Sequence, residues 1–273
     1  MAPDPLRADP GQHGRPLRND RNGLLEVNAD YFALAANTGG DFYFWAPGEF
    51  ATARLRIPLS GEPVLLAYGN VGVAQRSFAI PVESGARSLT IFSGAQRKDF
   101  AVLVRPDGTI VADGAAGAAI QSFRHMMIAT IDVPVAGTWR LEFTGAGTFE
   151  VSAHVQPSRG DDALAFDDFD FLEPGGRPGH EGLFPISREL RKGETIPCSA
   201  TLSGQLSAVQ LAFVSPDDQP ISTVSMEQDG GGRDYFGRCA IPSRPFQVAV
   251  TGRDARGLPF RRVESRVHSP IGN

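Results

Sequence analysis

The side chains able to do chemistry are sparse and scattered along this chain. The five histidines are His13, His125, His154, His180 and His268, and none sits at metal-ligand spacing from another. His180, in "GRPGHEG", is the one on a turn-rich stretch, where binding residues concentrate, although a loop histidine bonding backbone accounts for it as well. Asp161, Asp162, Asp167, Asp168 and Asp170 form an acidic run. Carboxylate oxygens at that density are calcium-type ligands, with Asp167, Asp168 and Asp170 as the candidates, and a solvated linker explains them equally. Arg159 to Asp161 spells "RGD", a tripeptide that recurs by chance. The two cysteines, Cys198 and Cys239, both lie in the second half. A Gly-x-Ser-x-Gly elbow, a phosphate loop, a dinucleotide fingerprint and a His-Glu-x-x-His pair are not in the sequence. The expectation is therefore a non-enzymatic protein with no cofactor.

The elements that carry these residues read as β-strands. An internal repeat organises them: "TIFSGAQRKDFAVLVRPDGTIV" (90–111) parallels "ATLSGQLSAVQLAFVSPDDQPI" (200–221). Ser93-Gly94 lies over Ser203-Gly204 and Pro106-Asp107 over Pro216-Asp217, both at an offset of 110 residues. Further on, Trp139 lies over Phe246 and Gly145 over Gly252. In "TWRLEFTG", Trp139, Leu141 and Phe143 alternate with polar residues. In "PFQVAVTG", Phe246, Val248 and Val250 alternate with Gln247 and Ala249, so these six are the expected core anchors. "RPDG" (105–108) is a hairpin turn, and "SPDD" (215–218) a less regular version of it. The pattern predicts a mainly β protein: two tandem antiparallel sandwiches, jelly-roll or galactose-binding-like and then immunoglobulin-like, behind a short α/β stub.

Boundaries follow from composition. Residues 1–23 are rich in Pro, Arg and Asp, with no apolar stretch for a Sec-type leader, and are expected to be disordered. Residues 24–58 read as helix, strand and helix: "DYFALAANTGG" is a helix stopped by Gly39-Gly40, Phe42 to Trp45 a buried strand, and "PGEFATARLRI" a second helix. The first β-module is set at 59–157, an acidic and Gly/Pro-rich linker at 158–181, and the second module at 182–273. Hydrophobic residues make up 41% of the chain and charged residues 21%, with a net charge of −5. That balance gives no electrostatic case for nucleic acid. No apolar run is long enough for a spanning helix. A disulfide between Cys198 and Cys239, joining neighbouring strands or the two sheets, is weighed against two buried free thiols.

The opening unit resembles the closing unit of a von Willebrand factor A domain, through Leu34, Ala35, Thr38, Gly39 and Gly40 followed by Asp41 to Trp45. "LVRPDGTIV", "VPVAGTWRLEFTGAGTFEVSAHV", "GGRPGHEGLFPI" and "IPSRPFQVAVTGRDARGLPFRRV" resemble the region after the A domain in hemicentin-like proteins, over about residues 24 to 270. The resemblance implies structural or adhesive modules of an extracellular protein, contacting a protein or glycan at a surface or matrix. It implies a fragment, because the Asp-x-Ser-x-Ser metal motif of the A domain has no counterpart here. Phe42, Tyr43, Phe44 and Trp45 are then expected to pack on the first module or to form a sticky edge. The alternative is a carbohydrate- or polymer-binding accessory module of a secreted hydrolase. The resemblance places the protein outside the cell or in the periplasm, whereas the lack of a leader would place a complete chain in the cytoplasm.

Overall fold

A computed structural model of the chain describes residues 34–35, 38, 42–46, 48–49, 61–159 and 163–272. The fold over these residues is mainly β and antiparallel. The tail expected at 1–23 lies outside them.

The first module is built from three long strands and two short ones. β1 (Glu62–Val82), β2 (Ser88–Val104) and β5 (Gly137–Gln156) are 21, 17 and 20 residues long. β3 (Ala118–Ser122) and β4 (Met126–Asp132) complete one sheet in the order β1-β5-β2-β4-β3. Strands of that length exceed the usual five or six residues, and they pack by bending back on themselves. Bulges mark the bends: between Val71 and Ala74 on β1, and between Ala95 and Arg97 on β2. Opposite them, Gly147 has φ +81°, and a Cβ at Gly145 would lie 2.7 Å from the Arg97 carbonyl. Only glycine admits this crossing. The two facing layers are thus halves of the same strands. Trp139, Leu141, Phe143, Phe149 and Val151 meet Val64, Leu65, Phe78 and Ile80 between them. The chain enters and leaves at one place, since Glu62 pairs with Val155.

The second module is a two-sheet sandwich. One sheet runs β11-β12-β8-β6-β7: β6 (Ala165–Gly175), β7 (Gly182–Pro185), β8 (Thr195–Ser203), β11 (Glu227–Gln228) and β12 (Asp234–Ala240). The other runs β10-β9-β13-β14: β9 (Ser207–Val214), β10 (Pro220–Ser225), β13 (Phe246–Arg253) and β14 (Pro259–His268). The chain crosses between sheets after β8, β10 and β12, which is the Greek-key arrangement of an immunoglobulin-like sandwich. Phe213, Phe246, Val248, Val250, Leu202 and Tyr235 lie in its core. All six expected anchors are buried, none more than 1% exposed.

The repeat is visible in the strand register. Leu103 pairs with Leu141 and Ala101 with Phe143. Their counterparts at the repeat offsets, Phe213 with Val248 and Leu211 with Val250, pair in the same way. The "RPDG" turn closes with Gly108 N–H donating to Arg105 O at 2.9 Å, and Asp107 accepts from the Thr109 N–H and hydroxyl. "SPDD" closes likewise, with Asp218 N–H on Ser215 O at 2.8 Å.

Three expectations are corrected. The segment 158–181 is not a linker throughout, because β6 occupies Ala165–Gly175 as the first strand of the second module. Its aspartates hid the alternation: Phe169 and Phe171 pack on the core while Asp168 is exposed beside them. Phe42 to Trp45 is not a strand and is part of none of the sheets among the described residues. Its aromatics instead cover Phe92, Met126 and Ile128 on the first module, one of the two outcomes expected for them. Gly48 and Glu49 form a turn rather than the start of a helix, with Glu49 N–H on Ala46 O at 3.1 Å. Leu34, Ala35 and Thr38 are helical as expected, and the remainder of both expected helices lies outside the described residues.

Candidate binding cleft at the module junction

Polar side chains converge where the two modules meet, and each is placed by a strand or turn. β14 brings Arg262 in on the same face as Val250, toward the core, where it is fully buried. Its guanidinium forks onto Glu83, just past the end of β1, at 2.5 Å and 3.2 Å. It also donates to the carbonyls of Arg261 and Leu164, and Glu62 stands 3.6 Å from Nε. An arginine taken out of water needs this many acceptors. Glu62 is raised above its ordinary value chiefly by burial, which outweighs the attraction of Arg262.

Further ties cross the junction. Asp254, in the turn after β13, accepts from the Ser84 N–H at 2.8 Å and hydroxyl at 2.7 Å. Arg76 reaches Asp217 at 2.7 Å. Tyr68 N–H donates to Pro216 O at 2.8 Å, so the second "PD" turn is docked on β1. Burial alone would raise Asp217 and Asp254. The bonds from Arg76 and Ser215 to Asp217, and from Ser84, Leu258 and Arg256 to Asp254, hold both below the usual carboxylate value.

Beside this network, within the second module, lies an open cleft of about 580 Å³, with Gln205, Ser207, Gln228, Arg233 and Asp254 on its walls. A smaller pocket of about 210 Å³ adjoins it, between Ser84, Ser158, Gln205 and Arg256. Much of this polar lining is engaged within the protein: Arg233 with Asp167 and Ser203, Gln228 with the Gly232 carbonyl and Asp254 with Ser84.

The residues singled out in the sequence are dispersed. Asp167 pairs with Arg233 and accepts from Ser203, Asp168 bonds its neighbouring Phe169 N–H, and Asp170 is raised by burial and by repulsion from Asp168 and Glu264. Among the described residues, no group of three or more His, Cys, Asp or Glu is arranged for a metal ion. Asp161, Asp162 and most of "RGD" lie outside them. His180 is exposed on its loop, its backbone N–H on Arg177 O. His125 is buried, which lowers its pKa, and His268 stacks on Phe246 and meets Glu264 at 2.9 Å. Cys198 and Cys239 are free thiols on neighbouring strands of one sheet, where Cys198 pairs with Gly237 and Cys239 with Ile196. Their mutual hydrogen bond, then burial, pushes the Cys239 thiol far above its ordinary value.

Arg262, Glu83, Arg76 and Asp254 escaped the sequence reading. One signal was available for the first: "PFRRV" places two arginines inside an apolar strand, which requires buried partners.

No family model matches the chain, and no curated protein matches it. Among solved structures, the chain is similar to Bacillus licheniformis lipase BlEst2 in its propeptide form, with 12% identity, 82% of this chain and 45% of that one covered, and a TM-score of 0.29. It is also similar to a Bifidobacterium dentium β-glucuronidase complexed with coumarin-3-O-glucuronide, with 12% identity, 69% and 38% covered, and a TM-score of 0.26. The chain spans less than half the length of either. Scores at that level do not amount to a shared fold, and nothing about activity follows from them.

Proposed function

We propose that the chain acts as a non-catalytic pair of β-sandwich modules with a structural, adhesive or ligand-recognising role. The setting is the one the von Willebrand A resemblance implies: an extracellular protein that contacts a protein or glycan at a cell surface or matrix. The observation that supports this reading is the buried Glu83–Arg262 pair and the ties around it. Inter-domain contacts within a chain ordinarily permit relative motion. A bidentate ion pair flanked by further directional bonds resists it, because those bonds form together at only one angle between the modules. A fixed angle between modules is what a spacer or a composite recognition surface requires.

The test has two arms. Small-angle scattering of the full chain should fit a single arrangement of the modules; a profile that needs many orientations overturns the rigid-pair reading. A glycan and matrix-protein array then addresses recognition. Signal confined to soluble polysaccharides would move the reading to the accessory-module alternative.

A further inference from the structure

The outer face of β2 and β4 carries Phe92, Met126 and Ile128, an apolar cluster separate from the core on the inner face. A short aromatic segment of the same chain covers it. Phe44 is 1% exposed and sits over Gly94, where a Cβ would come within 2.7 Å of the Phe44 ring. The missing side chain at position 94 is the seat for that ring. Tyr43 meets Phe92 edge-on at 5.4 Å, and Trp45 meets Phe123 edge-on at 5.1 Å. Edge-to-face contacts of this kind carry orientation as well as area.

The main chain of the segment is held differently from a strand. It joins no sheet ladder. Instead, Phe42 N–H donates to the Glu150 carboxylate at 2.8 Å. Glu49 bridges the Ala46 and Arg124 N–H groups, both at 2.8 Å. Side-chain seats and the Glu150 carboxylate therefore read an extended peptide, and the segment's own Glu49 reaches back to the groove at the Arg124 N–H.

We propose that this face is a recognition groove for an extended segment bearing aromatic side chains, and that Phe42–Trp45 occupies it in cis as a tethered ligand. A tethered segment has an effective concentration of the order of millimolar, so even modest intrinsic affinity keeps the groove closed. A partner peptide of the same chemistry gains the site when the cis segment is released. The inference concerns the first module alone and is independent of the rigid-pair reading.

The experiment uses the full chain and a fluorescein-labelled synthetic peptide copying residues 40–49, read by fluorescence anisotropy. Phe44→Ala weakens the cis occupant and leaves the groove intact, so it should bind the peptide at least about tenfold more tightly than wild type. Adding Gly94→Leu to it fills the seat and should abolish the gain. Equal binding by wild type and Phe44→Ala, or binding that survives Gly94→Leu, overturns the proposal. If Phe44→Ala fails to fold, Glu49→Ala decides, because it removes the segment's own carboxylate tie to the Arg124 N–H. It too should bind more tightly than wild type, and no gain overturns the proposal.

Discussion

Val133 has φ +48°, immediately before Pro134, and is 79% exposed. A β-branched residue pays strain there, and the following proline already restricts it to extended backbone. Its N–H nevertheless bonds Arg87 O at 2.9 Å, which holds the conformation. Val133→Gly should therefore raise stability by about 1 kcal/mol, seen as a higher urea midpoint at unchanged slope. Arg262 presents the opposite case. Arg262→Ala strands Glu83 in the interior and should cost about 3–5 kcal/mol, whereas Glu83→Leu with Arg262→Met should recover most of the loss. Asp217 makes the junction sensitive to acid. A carboxyl held lower in the folded than in the unfolded chain adds stability above its ordinary value and gives it up as pH falls through the folded value. Thermal melts from neutral pH to below 3.8, the ordinary Asp value, should show that loss in wild type and a shallower one in Arg76→Ala. Glu62 works in reverse: burial raises it, so ionising it costs stability as pH climbs past 4.5.

The strands and turns were the most legible elements. Alternation in "TWRLEFTG" and "PFQVAVTG" placed Trp139 and Phe246 inside, and the repeat's two halves turn out to share the register of β2 with β5 and of β9 with β13. What failed was reading burial from one module alone. Gln247 and Ala249 alternate with the β13 core residues yet are also buried, with β1 of the first module packed along the adjacent β14. β6 was missed because Asp168 and Asp170 between its phenylalanines look like a solvated linker, when they are one face of a strand. The aromatic run at 42–45 reads locally as a strand, but only a partner sheet makes it one. At the hairpin of β6 and β7, Leu183 and Phe184 are exposed, while Pro174 and Pro185 cannot donate along the edges. Proline there discourages strand addition. The cysteines give a measurement at this scale. Both are 0% exposed, so an Ellman titration should find no reactive thiol in the native protein and two after denaturation without reductant. Finding none after denaturation would establish a bridge between β8 and β12.

The two cores are distinct, one drawn from residues 64–155 and the other from 164–260, yet charged groups from both halves complete the junction between them. Wild type should therefore melt in a single calorimetric transition, and Arg262→Ala should split it into two, since each sandwich keeps its own apolar core. The sequence announced two modules through its repeat. It left their docking hidden, because a salt bridge between Glu83 and Arg262 joins positions that no periodicity relates. The placement of Glu62 opposite Val155 has a mechanical consequence. Tension applied between Glu62 and Gln156 enters and leaves this sheet at one end, so the sheet hangs to the side of that load path. The rungs between β1 and β5 then open one after another, like a zip drawn from its end. Strands loaded lengthwise against each other would have to break many rungs together. Pulled at those two ends, the β1–β5 ladder yields gradually and at low force.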